Sequence, residues 1–166
     1  MKSFSIVLLA PILGLGIAFS QQEKTLAAAG EPSTPEAIKQ FNDEQVADVS
    51  KQIASKEDQP AEAVFKNIKL LTGVPAGKVV KMMQFGYSRS LGVSCAHCHV
   101  PGKWDKDDKP AKQIARDMAK MSHTINADLL KNIDGLKDRN ALVNCTTCHR
   151  GQLKPALDLD ADPKSK

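Results

Sequence analysis

The chain holds four cysteines, and they fall into two C-x-x-C pairs, Cys95 with Cys98 and Cys145 with Cys148. Each pair is followed at once by a histidine, His99 or His149. Covalent haem attachment uses this spacing. Two thiols one turn apart form thioethers to the two vinyl groups on one porphyrin edge, and the next residue, a histidine, turns beneath the ring to ligate iron. Two intact copies with no cysteine left over therefore imply two covalently bound haem c groups, with all four cysteines binding the cofactor and His99 and His149 as metal ligands.

Other chemistries explain less of the pattern. A zinc site of four thiolates would need pairs separated by 46 residues to converge and would leave both histidines unused. Thioredoxin-type disulfides need a βαβ context that the sequence lacks. Disulfides between the pairs would again make the two histidines coincidental.

Haem iron with one histidine takes a second axial ligand or keeps an open site, and that choice separates electron carriers from enzymes. Apart from Met1, the methionines are Met82, Met83, Met118 and Met121, two on each stretch that precedes an attachment motif. Thioether side chains also fill cores, and packing and ligation are compatible here. Met82 has Gly86 four residues on, and Met118 is flanked on its faces by Ala115 and Ser122, small neighbours that admit a flat ring. These favour Met82 for the first haem and Met118 for the second, with Met83 and Met121 kept open. His123 is an alternative ligand, and His97 reads as a surface residue or one on the propionate side. Arg89, Lys103, Arg116 and Arg150 are candidate propionate partners.

The elements that must position these residues read as helices. Thr34 can cap and Pro35 can open a helix that continues to about Ser55. A second start at Pro60 carries Val64, Phe65, Ile68 and Leu71 at spacings of three and four and stops at Gly73. A third helix is expected over 75–89. A fourth runs over 110–133, with Ile114, Met118, Met121, Ile125 and Leu129 on one face and Gly135 as its stop. No segment alternates as a strand would. The expectation is an all-α fold built from two helix–turn–CxxCH units.

Composition bounds the rest. The chain has 166 residues, 42% hydrophobic and 25% charged, which suits one domain. Its few aromatic side chains leave a thin core that two porphyrins would fill. The run from Phe4 to Phe19 follows Lys2, carries no charge and is shorter than the roughly 20 residues a membrane helix needs. It reads as a secretory signal cut near Ser20. The expected organisation is a signal at 1–20, a flexible lead-in at 21–33, a dihaem domain over 34–156 and a disordered tail over 157–166. The net charge of +4, or +3 without Lys2, is too mild and too evenly mixed for nucleic acid.

The stretch LGVSCAHCHVPGKWDKDDKPAKQIARDMAKMSHTIN, followed by VNCTTCHRGQLKP, resembles the cytochrome c subunit of photosynthetic reaction centres. Over roughly residues 60–155, the resemblance implies haem units made of a helix bearing the axial methionine, a turn and a C-x-x-C-H helix. By position it pairs Met82 with His99 and Met118 with His149. The familiar subunit carries four haem sites and often a lipidated N-terminal cysteine, whereas this chain has two sites and no such cysteine. The resemblance thus implies a half-length dihaem form, exported to the periplasm without an integral span once the signal is cut. Such a form is an electron carrier, not an enzyme. It serves photosynthetic or respiratory electron transport, with redox partners such as a membrane reaction centre or a respiratory complex. The rival of another class is a dihaem peroxidase with one open iron, and a zinc or disulfide structural module is the third reading.

Overall fold

Thr34 opens the first helix as its sequence predicts. It is extended (φ −90°, ψ 150°), its Oγ1 accepts from the Ala37 amide at 3.2 Å, and Pro35 fills the first turn. Such a cap stabilises a helix by about 1 kcal/mol. Helix α1 spans Pro35–Gln52, with Glu36 near its positive end and Lys51 near its negative end. These features come from a computed structural model of the chain, which describes residues 30–136 and 140–157. The expected signal at 1–20, the lead-in before Gly30 and the tail beyond Leu157 lie outside the described residues.

The second expected helix is cut to one turn, α2, Ala61–Val64. Phe65 is extended and Asn67 sits at φ +64°, so the apolar spacing from Val64 to Leu71 does not make a helical stripe. Backbone pairing explains this. The Ala61 amide donates to Val74 O, the Ala76 amide donates to Gln59 O, and Glu62 accepts from the Gly73 amide. These bonds fold the segment back on itself at a Pro60–Pro75 bridge. Its apolar side chains then face a cavity.

Helix α3 begins as Ala76–Lys81, continues as a π-helical stretch over Met82–Ser88 and closes with Arg89–Leu91. A one-turn helix, α4 (Cys95–Cys98), follows. Helix α5 is Pro110–Thr124, prolonged by a π-helical turn, Ile125–Leu129, and a 3-10 turn, Leu130–Asn132. It matches the expected span closely, and Gly135 follows at φ +84°. Helix α6 is Cys145–His149. Among the described residues there are helices and two isolated bridges but no strand, in agreement with an all-α fold.

The apolar core is small. Ile53, Ala76 and Val80 are buried together, with Val46, Val49, Val64 and Phe65 packed on them. Among the described residues no large side chain is fully buried.

Helices α3 and α6 are joined by direct backbone contact. The Gly151 amide donates to Ser90 O at 2.8 Å, and the Ser90 and Thr146 hydroxyls lie 2.6 Å apart. Gly92 closes α3 in the left-handed region at φ +65°, and a Cβ there would lie 2.0 Å from the Gly151 carbonyl oxygen. Gly92→Ala therefore carries the left-handed penalty of about 1–2 kcal/mol plus a collision with backbone. Gly73→Ala, at φ +75° with nothing within 4 Å, carries the penalty alone. Denaturant melts of the two variants should show Gly92→Ala clearly the more destabilised; equal losses would refute the close junction.

Candidate functional site

The first C-x-x-C-H turn is held from outside by Asn42 on α1. Its side-chain oxygen accepts from the Cys95 amide at 2.8 Å, and its nitrogen donates to Ser88 Oγ at 2.7 Å and to Val93 O at 3.3 Å. Asn42 is buried and fully used. It thereby ties α1 to the end of α3 and to the start of the attachment turn. Both thiols are free. Burial pushes Cys95 up to about 11 and raises Cys98 as well, although the Lys109 charge acts against the rise at Cys98.

His99 leaves the turn in extended conformation, and its Nδ1 lies 3.2 Å from the Trp104 carbonyl oxygen. Nδ1 therefore carries the proton and donates, which leaves the Nε2 lone pair for a metal. The indole of Trp104 meets the imidazole edge-on, with ring centroids 5.6 Å apart. Burial, and after it the Lys112 charge, holds His99 below the ordinary histidine value.

These residues share a cavity of about 540 Å³ with Phe65, Met83, Tyr87, Lys112 and Arg116. That volume is in the range of small-molecule and cofactor sites. Its donor set suits a haem: two thiols on one wall, an imidazole nitrogen beside them, a thioether, and apolar surface between. Of the two adjacent methionines, Met83 lines this cavity and Met82 is not among its lining residues. The π-helical stretch that carries both begins at Met82. Local π turns of this kind recur at functional sites, and they rotate side chains away from the register an α-helix would give.

One edge of the cavity is charged. Asp107 accepts from Arg116 at 3.0 Å, Lys112 at 3.1 Å, Lys69 at 3.1 Å and Asn67 at 2.9 Å. The Arg116 and Lys112 bonds foremost hold its carboxyl well below the usual carboxylate range. Of the four expected propionate partners only Arg116 lines this cavity. Arg89, Lys103 and Arg150 are exposed.

The second turn is built differently. Asn144 and Thr147 form a reciprocal capping box at the start of α6. Val143, just before it, is clamped by Asn126, which accepts from its amide and donates to its carbonyl, both at 2.8 Å. His149 Nδ1 lies 3.0 Å from Gln152 O, again leaving Nε2 free to bind metal. On α5, Met118 precedes Ser122 by four residues, and the Ser122 hydroxyl also reaches Val143 O at 3.5 Å. Met118 thus shares a helix row with the two side chains that hold the second motif, and Met121 lies off that row. Helix α5 serves both sites, since its Lys112 and Arg116 line the first cavity.

His123 is exposed and lines a separate recess with Asn126 and Leu142. His97 is half-buried on α4 and is not among the residues of the first cavity. Among the described residues, no three His, Cys, Asp or Glu side chains converge to hold an ion. Tyr87 lines the first cavity. Burial, and after it the nearby Cys145 and Cys98 thiols, pushes its phenol up. Asn42, Asn126 and Lys112 escape sequence reasoning because each is an ordinary polar residue in a helix until its distant partner is known.

A family model described as "Photosynthetic reaction centre cytochrome C subunit" matches residues 16–162. Cytochrome c-554 of Chloroflexus aurantiacus is 31% identical over 83 residues, covering 50% of this chain and 20% of that protein. The photosynthetic reaction center cytochrome c subunit of Thermochromatium tepidum is 30% identical over 107 residues, covering 64% of this chain and 25% of that protein. The same subunit of Roseobacter denitrificans is 39% identical over 67 residues, covering 37% and 17%. The chain thus spans about a quarter or less of the length of these curated relatives.

Asn42→Ala leaves the Cys95 amide without its partner, a loss of about 1–3 kcal/mol measurable by denaturant melts, and Asn42→Asp should not restore it, because a carboxylate oxygen would replace the nitrogen that donates to Val93 O. Asp107 has a depressed pKa in the folded state, so its contribution is full above its unfolded value of about 4 and fades as pH falls. The stability gap between the parent and Asp107→Asn should therefore close in acid; a gap constant from neutral pH to pH 3 would contradict the ion cluster.

Proposed function

Because the chain belongs to the photosynthetic reaction centre cytochrome c subunit family, we propose that it carries electrons on two covalently bound haems c, as an exported protein facing a membrane redox partner. In this reading Cys95 and Cys98 hold one haem and Cys145 and Cys148 the other, with His99 and His149 as proximal ligands. Each bound haem supplies a one-electron couple at iron; the chain's part is to hold that iron in one geometry through both oxidation states.

The observation that carries the reading is the first cavity, where two free thiols, the unprotonated nitrogen of His99 and the Met83 thioether meet around apolar surface. For the sixth ligand of the first haem the cavity wall favours Met83, where the sequence favours Met82. Met118 remains the choice for the second, supported by its row with Ser122 and Asn126. A thioether supplied by Met83 and by Met118 would close both sites to substrate, favour the reduced form and raise the potential. That is what a carrier needs and what a dihaem peroxidase, with its open iron, does not have. The Trp104 and Gln152 carbonyls fix the orientation of the two imidazoles. Arg116, at the charged edge of the cavity, is placed to meet a propionate. Among the described residues no helix is long and apolar enough to cross a membrane, so contact with a membrane reaction centre or respiratory complex would be made through a protein surface.

Carbon monoxide binding to the reduced protein tests this arrangement. The parent should bind none, Met83→Ala should open one haem and Met118→Ala the other, while Met82→Ala and Met121→Ala leave both closed. Opening by Met82→Ala would return the first ligand to Met82. Carbon monoxide binding by the parent would favour the peroxidase-like reading.

A further inference from the structure

Lys112 is an unusual cavity residue. Its side chain is 9% exposed, and its ammonium spends all three protons inside the protein, on Trp104 O at 2.9 Å, Lys106 O at 2.5 Å and Asp107 Oδ1 at 3.1 Å. Lysine is almost never buried without a specific partner. The first of these acceptors is the same carbonyl oxygen that takes the proton of His99 Nδ1. The counterpart at the second motif differs: among the described residues no ammonium donates to the Gln152 carbonyl that receives His149.

We propose that Lys112 is a positioning residue that raises the reduction potential of the haem held at Cys95 and Cys98. The inference rests on the haem attachment proposed above. Two effects act in the same direction. An ammonium on the Trp104 carbonyl withdraws its electron density, so it accepts less strongly from Nδ1–H, and His99 becomes a weaker donor to the more positive iron. The charge also lies in a poorly solvated wall, where a positive neighbour disfavours the oxidised centre more than the reduced one. Reduction adds one electron and removes one positive charge at iron, so both effects raise the potential. Asp107 moderates this, because its carboxylate binds Lys112 and Arg116 together. The cluster of Lys69, Lys112, Arg116 and Asp107 retains an excess of positive charge.

Spectroelectrochemical titration at fixed pH and ionic strength tests the proposal, with haem per chain counted by alkaline pyridine absorbance. Lys112→Gln should lower one of the two waves by about tenfold in its equilibrium constant, about 59 mV for one electron, and leave the other in place. Lys112→Arg should retain most of the parent value. Asp107→Asn, at a side chain 42% exposed, should move the same wave upward, which keeps the test independent of any role of Lys112 in folding. With two haems bound, an unmoved wave or equal shifts in both waves would overturn this inference alone. Fewer than two haems on the parent would overturn the proposed function and this inference together.

Discussion

A chain in which, among the described residues, no large side chain is fully buried cannot rely on side-chain packing alone. Its cluster of Ile53, Ala76 and Val80 is too small to orient six helical segments. What orients them is a set of directed polar contacts aimed at the two attachment turns. Asn42 reaches from α1 to the Cys95 amide, Asn126 reaches from the end of α5 to both backbone groups of Val143, and Ser90 meets Thr146 where α3 abuts α6. Each contact fixes backbone next to a cysteine. The protein is organised around the positions of four thiols, and the cavity beside the first pair follows from that placement.

Helix α5 couples the two halves. Its Lys112–Arg116 row lines the first cavity, and its Met118–Ser122–Asn126 row addresses the second motif. A rotation of this helix would disturb both sites at once. The π-helical turns in α3 and α5 lie where the helices must present side chains to an attachment motif, over Met82–Ser88 and Ile125–Leu129. Each offsets the helix face by a fraction of a turn, at the expense of ideal hydrogen bonding.

Much of this was legible in the residues. The C-x-x-C-H motifs stand out because the thioether attachment proposed for them would require that spacing of two thiols and an adjacent ligand. Thr34 and Pro35 announce α1, and the stripe from Ile114 to Leu129 announces α5, because capping and amphipathic periodicity are local properties. The segment from Val64 to Leu71 misleads for a physical reason: spacings of three and four serve a non-helical wall of a cavity as well as a helix, and backbone pairing across Pro60 and Pro75 decides between them. The choice between Met82 and Met83 is equally hidden. Adjacent helical residues point about 100° apart, and a π turn shifts which of them faces the cavity. Asn42, Lys112 and Asn126 gain meaning only from partners 17 or more residues away, or from a carbonyl such as that of Trp104 that sequence does not mark.

The central claim is that both C-x-x-C-H turns hold haem covalently. Intact-mass spectrometry of the denatured protein, purified from a host with cytochrome c assembly, tests it most directly. The account predicts a polypeptide carrying the added mass of two haems that survives denaturation. A bare chain, or one that loses its colour on unfolding, would contradict it.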